Sequence, residues 1–222
     1  FRWFLLAPIF LAISVGVNSP VASFAGELED AQDKVRLNTN DAQAHHSLGL
    51  VYEKLGQYQD AIASYKEAIR IRPDYSNTHF NLGIVYKVLG QQPNAIASYK
   101  EAIRLNPNDV EAQSNLGNIY IRLGRYQEAI TLFKEAIRIN PNFANAHNNL
   151  GYTYYKSGQY QNAITSYKEA LRIKPDFALA QTNLTKLNQK LAQAKPFPPV
   201  SQPKPQPSEE LADAQERVRL YP

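Results

Sequence analysis

Residues 76–109 read SNTHFNLGIVYKVLGQQPNAIASYKEAIRLNPND, and residues 110–143 read VEAQSNLGNIYIRLGRYQEAITLFKEAIRINPNF. Set one above the other, the two share Leu-Gly, a Tyr three places further on, a second Gly, an Ala, an aromatic, another Ala and a Pro. The spacing of 34 extends in both directions. It carries Gly49, Gly83, Gly117 and Gly151, then Gly56, Gly90, Gly124 and Gly158. It also carries Ala61, Ala95, Ala129 and Ala163, and Pro73, Pro107, Pro141 and Pro175. Four units follow without insertion or deletion: 42–75, 76–109, 110–143 and 144–177. A fixed period of this length is the mark of a stacked repeat array.

Each unit reads as two helices. Asn40, Asp74, Asn108, Asn142 and Asp176 stand where side-chain oxygens can accept the free amides of the next helix, which makes them N-cap candidates. The Gly56 row fits a left-handed helix stop, and the Pro row ends the second helix. Pro93 sits at the start of a helix, where its missing amide hydrogen costs little. Ala61, Tyr65, Ala68 and Ile69 fall on one face at helical spacing. The Gly49 row lies mid-helix, at a cost of roughly 1 kcal/mol per residue against Ala. The same cost in every unit implies that nothing larger fits. Tyr65, Tyr99, Phe133 and Tyr167 are placed to fill the space beside it. One helix pair cannot bury both its faces, whereas stacked pairs can.

The unit with Leu-Gly, Tyr, Ala, an aromatic, Ala and Pro at these places resembles the tetratricopeptide repeat. The resemblance implies an all-α fold, a right-handed solenoid of antiparallel helix pairs. It departs from the family at the fourth place, where an aromatic is common and this chain has His45, His79, Gln113, His147 and Gln181. These residues read either as helix packing or as metal ligands. Ligands converge on one point and a row does not, so no metal is expected.

The flanks are read from the units. Residues 178–194 repeat the first-helix pattern through Ala180, Leu184, Leu187 and Leu191 with no partner helix after them, as a capping helix requires. Residues 26–41 align with a second helix through Leu28, Ala31, Val35 and Leu37, giving a degenerate half-repeat. Residues 195–207 are rich in Pro and read as an extended linker or a ligand for a proline-reading domain. In residues 208–222, Leu211–Leu220 copies Leu28–Leu37, as the start of a second helical repeat region would. Arg2, an apolar run from Trp3 to Val17 and the small residues Ser23 and Ala25 before Gly26 describe a signal peptide over residues 1–25. The run is shorter than the roughly twenty residues a spanning helix needs. An uncleaved anchor is the alternative. The mature chain is thus expected to have no membrane span and to be exported, to periplasm, thylakoid lumen or the extracellular space. With no Met, the chain is expected to begin downstream of its translational start.

Composition excludes several chemistries. There is no Cys, so disulfides, thiolate metal sites and cysteine nucleophiles are out. The formal net charge of +4 is mild and evenly spread, with no Lys/Arg run to hold a phosphate backbone, so no nucleic acid is expected. No phosphate loop, nucleophile elbow or dinucleotide fingerprint occurs. Glu67, Glu101, Glu135 and Glu169 each precede an Arg by three, as on a solvated face with weak ion pairing. No cofactor and no catalytic residue is expected.

The resemblance also implies a concave wall built by the first helices, with places 2, 5, 6, 9, 12 and 13 of each unit pointing into it. Place 6 gives Asn81, Asn115, Asn149 and Asn183. Place 9 gives Asn118 and Tyr152. Place 5 gives His46, Phe80 and Asn148, and place 13 gives Arg122 and Lys156. Tyr155 lies beside Tyr152. Carboxamides both donate and accept hydrogen bonds, so such a ladder suits the backbone of an extended peptide. It resembles the inner ladder of O-linked N-acetylglucosamine transferase repeats, and reads equally as inherited consensus. Phe80, Tyr152 and Tyr155 suit an apolar side chain, and the basic row favours an acidic segment. The carboxylate clamp of chaperone-binding repeats is missing, since His46 and Leu50 stand where it needs Lys and Asn. The expected function is a non-enzymatic scaffold for protein–protein interaction, binding a peptide or partner helix. The alternative is the targeting arm of a larger glycosyltransferase or protease. The Asn-rich units resemble repeat proteins of cyanobacteria, where an assembly factor for a membrane complex would fit.

Overall fold

The computed structural model of the chain describes residues 20–193, with side chains from residue 26. Ten helices follow one another in this span, and no strand occurs among the described residues. Helix α1 (Pro20–Leu37) precedes four pairs: α2 (Ala42–Lys54) with α3 (Tyr58–Ile71), α4 (Ser76–Val88) with α5 (Gln92–Leu105), α6 (Val110–Arg122) with α7 (Tyr126–Ile139), and α8 (Ala144–Lys156) with α9 (Tyr160–Ile173). Helix α10 (Ala178–Gln193) closes the array. Each helix packs on its neighbours in the chain, and direct contacts between like helices run along the first-helix row, α2 on α4, α6 on α8 and α8 on α10. That closer spacing bends the stack with the first helices inside. The expected signal peptide before Pro20, the linker 195–207 and the segment 208–222 lie outside the described residues. The expected cleavage point ahead of Gly26 falls inside α1.

Two rows of glycine set the pair geometry. Gly56, Gly90, Gly124 and Gly158 have φ of +71°, +71°, +72° and +79°, the left-handed stop that lets the second helix fold back on the first. The other row is a contact surface. A Cβ on Gly83 would lie 2.8 Å from the Tyr99 ring, and one on Gly117 2.7 Å from Cζ of Phe133. Tyr65, Tyr99 and Phe133 are fully buried there and Tyr167 nearly so, together with Ala61, Ala95, Ala129 and Ala163. Pro93 stands in the first turn of α5, as its position predicts.

The caps differ from expectation. Asn40, Asp74, Asn108, Asn142 and Asp176 sit in the inter-unit turn, one residue before the N-cap. Side chains of Asn38, Asn106 and Asn140 accept the amides of Asn40, Asn108 and Asn142, which commits those residues to a tight turn across Thr39, Pro107 and Pro141. The cap then falls on Asp41 and Asp109, whose carboxylates accept helix amides at 2.8 to 3.1 Å. It falls on Tyr75 and Phe143 in the other two units, and neither makes a side-chain cap.

The His row is explained by the same turn. Nε2 of His45, His79 and His147 lies 3.0, 2.9 and 2.9 Å from the carbonyl oxygens of Thr39, Pro73 and Pro141. A carbonyl only accepts, so each ring donates. Gln113 Nε2 donates to the Pro107 oxygen at 2.8 Å in the remaining unit. His and Gln replace one another at this place because both carry a donor of similar reach. Among the described residues no group of three or more His, Asp or Glu side chains is placed to hold a metal.

Helices α1 and α10 pack on the two ends of the four pairs. Ala31, flanked by Leu28 and Val35, packs on Leu48 and Val51, while Leu37 is 86% exposed because it is the last residue of α1. Ala180 and Leu187 are buried, while Leu191 near the end of α10 is 37% exposed.

Candidate functional site: the concave groove

The first helices of units 2 to 4 and α10 together line a cavity of about 440 Å³. Seven of the twelve expected residues meet there: Asn115, Asn118, Arg122, Asn148, Asn149, Tyr152 and Asn183. Lys87, Ile121 and Leu179 complete the lining. A smaller hollow of about 150 Å³ adjoins it, sharing Tyr152 and Asn183 and adding Tyr155, Tyr167, Lys186 and Leu187. The remaining expected residues stand apart from both. His46 is buried, its Nδ1 2.9 Å from Oγ1 of Thr78 on the next first helix. Phe80 is half-buried against Tyr99, with ring centroids 5.9 Å apart. Asn81 is half-buried and Lys156 exposed, and neither lines the cavity.

Place 5 is mostly a packing position in this chain: His46, Ser114 and Asn148 are buried there, and of its residues only Asn148 borders the cavity. Burial lowers the His46 pKa, and the nearby Arg72 lowers it further, so the ring is held neutral as a packing group.

The carboxamide row is less uniform than its sequence. Asn115 accepts from Lys87 Nζ at 2.7 Å and donates to the Glu111 carbonyl at 3.0 Å, so both ends are used. Asn183 donates to Asn148, which donates to Asn149, each at 3.2 Å. That leaves Asn149 with a free donor. Among the described residues the side chains of Asn81 and Asn118 make no hydrogen bond. The ladder is a network along the wall with Asn118 and Asn149 as its open rungs.

An aromatic corner closes the unit 4 end. The Tyr152 and Tyr155 rings are 6.4 Å apart, and Lys190 sits 5.0 Å over Tyr155 while donating to the Tyr160 hydroxyl at 3.0 Å. On the outer side Arg70, Arg104, Arg138 and Arg172 pair with Glu67, Glu101, Glu135 and Glu169 at 2.6 to 2.8 Å on an exposed face. A shallow apolar cavity of about 320 Å³ opens beside α5 and α7, lined by Ile103, Leu116, Tyr120 and Leu132 among others.

Sequence reasoning from places 5, 6, 9 and 13 passes over Lys87 and Ile121 at place 12 and Leu179 at place 2. The signal was present in the 34-residue spacing, since place 12 changes in every unit: Glu53, Lys87, Ile121, Tyr155.

Stacked helix pairs with a lined inner groove define a helical-repeat solenoid. The chain belongs to the tetratricopeptide-repeat family. The family model described as TPR repeat matches residues 51–90, 86–124 and 117–158, and that described as tetratricopeptide repeat matches residues 144–177. No curated protein matches the chain. Among solved structures it is similar to YrrB, described as a TPR protein with an unusual peptide-binding site, at 27% identity and a TM-score of 0.64, over 73% of this chain and 84% of that one. It is similar to MamA at 25% identity and a TM-score of 0.66, over 77% and 99% of the two chains. MamA from Desulfovibrio magneticus RS-1, residues 41 to the end, shares the fold at 19% identity and a TM-score of 0.65, over 71% and 89%. No described helix is long and apolar enough to cross a membrane.

Proposed function

We propose that the chain is a non-enzymatic scaffold that holds an extended peptide, or a helix of a partner protein, in the concave groove of units 2 to 4. The observation that carries this reading is the open cavity with free amide groups of Asn118 and Asn149 on its wall and the Tyr152–Tyr155 corner at its end. Carboxamides satisfy a peptide backbone whatever its side chains, and an aromatic hollow takes one apolar anchor. The similarity to YrrB, a TPR protein with an unusual peptide-binding site, points the same way. The cationic lining favours a ligand with acidic character, and the chaperone carboxylate clamp has no residues here to form it. The signal-like residues 1–25 support action outside the cytoplasm, and a stacked scaffold there suits an assembly factor for a membrane complex.

Photo-crosslinking in the producing cell tests this reading. A benzophenone side chain at Asn118 is expected to capture a discrete partner, and one at Thr131 on α7 is not. Capture of the same partner at Thr131 and not at Asn118 would move the interface to the outer face.

A further inference from the structure

Lys87 and Arg122 place two positive charges on one cavity whose lining holds no carboxylate. Neither side chain takes part in an ion pair among the described residues. Lys87 is half-buried, and its one hydrogen-bond acceptor is the neutral Oδ1 of Asn115 at 2.7 Å. Burial lowers the Lys87 pKa and Arg122 lowers it further, with only Glu53 acting the other way. The ammonium is short of negative charge.

The repeat itself shows which partner is missing. In unit 1, place 12 is Glu53, and the buried Tyr65 hydroxyl donates to it at 2.8 Å. One unit on, place 12 is Lys87, a donor. The equivalent hydroxyl, that of Tyr99, is buried with no partner. Burial raises the Tyr99 pKa, Glu53 raises it further and Arg122 opposes both, so the phenol stays protonated within the field of Arg122. The open amides of Asn118 and Asn149 add two more donors on the same wall. Donors outnumber acceptors here, and no described residue corrects the imbalance.

We propose that the cavity between Lys87 and Arg122 is an anion subsite that receives a carboxylate of the bound ligand, with Asn118 and Asn149 donating beside it. The subsite rests on the reading of the groove as a peptide site. It lies at places 12 and 13 of the repeat, away from the places where chaperone-binding repeats hold a carboxylate. Because Tyr152 and Asn183 border both hollows, the ligand that fills them carries its carboxylate close to an apolar side chain.

The test uses the full chain, isotope-labelled, with peptide titrations followed through the side-chain amide signals of Asn118 and Asn149. The probes are hexaglutamate with an amidated C-terminus, hexaglutamine amide, and an acetylated Ser-Gly hexapeptide with a free C-terminus. Hexaglutamate amide is expected to shift both amide signals and hexaglutamine amide to leave them in place. Lys87→Met and Arg122→Gln are each expected to weaken hexaglutamate binding about tenfold, since a charge-assisted bond is lost. Arg138→Gln on the outer face should change nothing, and added salt should weaken the parent. A response to the Ser-Gly acid alone assigns the carboxylate to a chain terminus, and the subsite stands. Equal shifts with hexaglutamine amide, unchanged affinity in both groove variants, or no shift at millimolar peptide overturn the subsite. Equal shifts with hexaglutamine overturn it while leaving the groove reading intact. Shifts confined to residues around Thr131 overturn both.

Discussion

Gly117→Val is expected to lower the free energy of unfolding by about 3 kcal/mol, the upper part of the range for overpacking a filled core. A bare Cβ at this position already meets the Phe133 ring, at 2.7 Å from Cζ and 3.0 Å from Cε1. Phe133 is fully buried among Ala129, Ile130 and Leu116, so it has nowhere to turn. Valine adds two methyl groups to that contact. Unit 3 lies inside the array, so the strain cannot be shed by fraying one end. Either the α6–α7 pair separates or the ring leaves its rotamer. Urea titration measures the change, and Phe133→Leu in the same chain should restore part of the loss by making room. A change near zero would mean that the two helices do not meet at this glycine.

Leu187→Asp is expected to act differently, by undocking α10 at a cost of about 3 kcal/mol, near that of deleting a buried leucine. Leu187 is 1% exposed and lies by Tyr167 and Tyr155 in the hollow that ends the array. A carboxylate cannot be buried there without a partner. A terminal element of a solenoid contacts only its neighbours, so its release caps the penalty. Hydrogen exchange should show α10 losing protection and α8–α9 weakened, with α4 to α7 unchanged. The uncovered faces of Leu150 and Tyr154 should promote self-association. Loss of protection along the whole array would show that the units do not fold as a nearest-neighbour stack.

The contrast between these two sites marks what the sequence discloses. Packing constraints recur in every unit, so the Gly117 and Phe133 rows, the left-handed Gly124 row and the unit boundaries are legible from spacing alone. Turn details are not. Asn108 is a cap candidate by residue type, yet Asn106 captures its amide inside the turn and the cap passes to Asp109. The donor role of His147 needs the Pro141 carbonyl to be located in space. The groove was half legible. Asn118, Arg122, Asn148, Asn149 and Tyr152 meet at one cavity, whereas His46 is buried against Thr78 of the next first helix. Lys87 is outside the rows read first, although place 12 differs in each unit as place 9 does. A residue that breaks the repeat carries more about ligand choice than one that keeps it.

The most direct measurement of the central claim is calorimetric titration with a peptide selected from a random library against the whole chain. It is made with the parent, with Asn118→Ala plus Asn149→Ala, and with Lys100→Ala plus Thr131→Ala beside the outer apolar cavity. Each open rung supplies roughly 1 kcal/mol, so the groove pair is expected to weaken binding about thirtyfold with an unchanged melting curve. The outer pair should bind as the parent does. Parent-like affinity in the groove pair together with loss in the outer pair would contradict the account and place the ligand on the second-helix side.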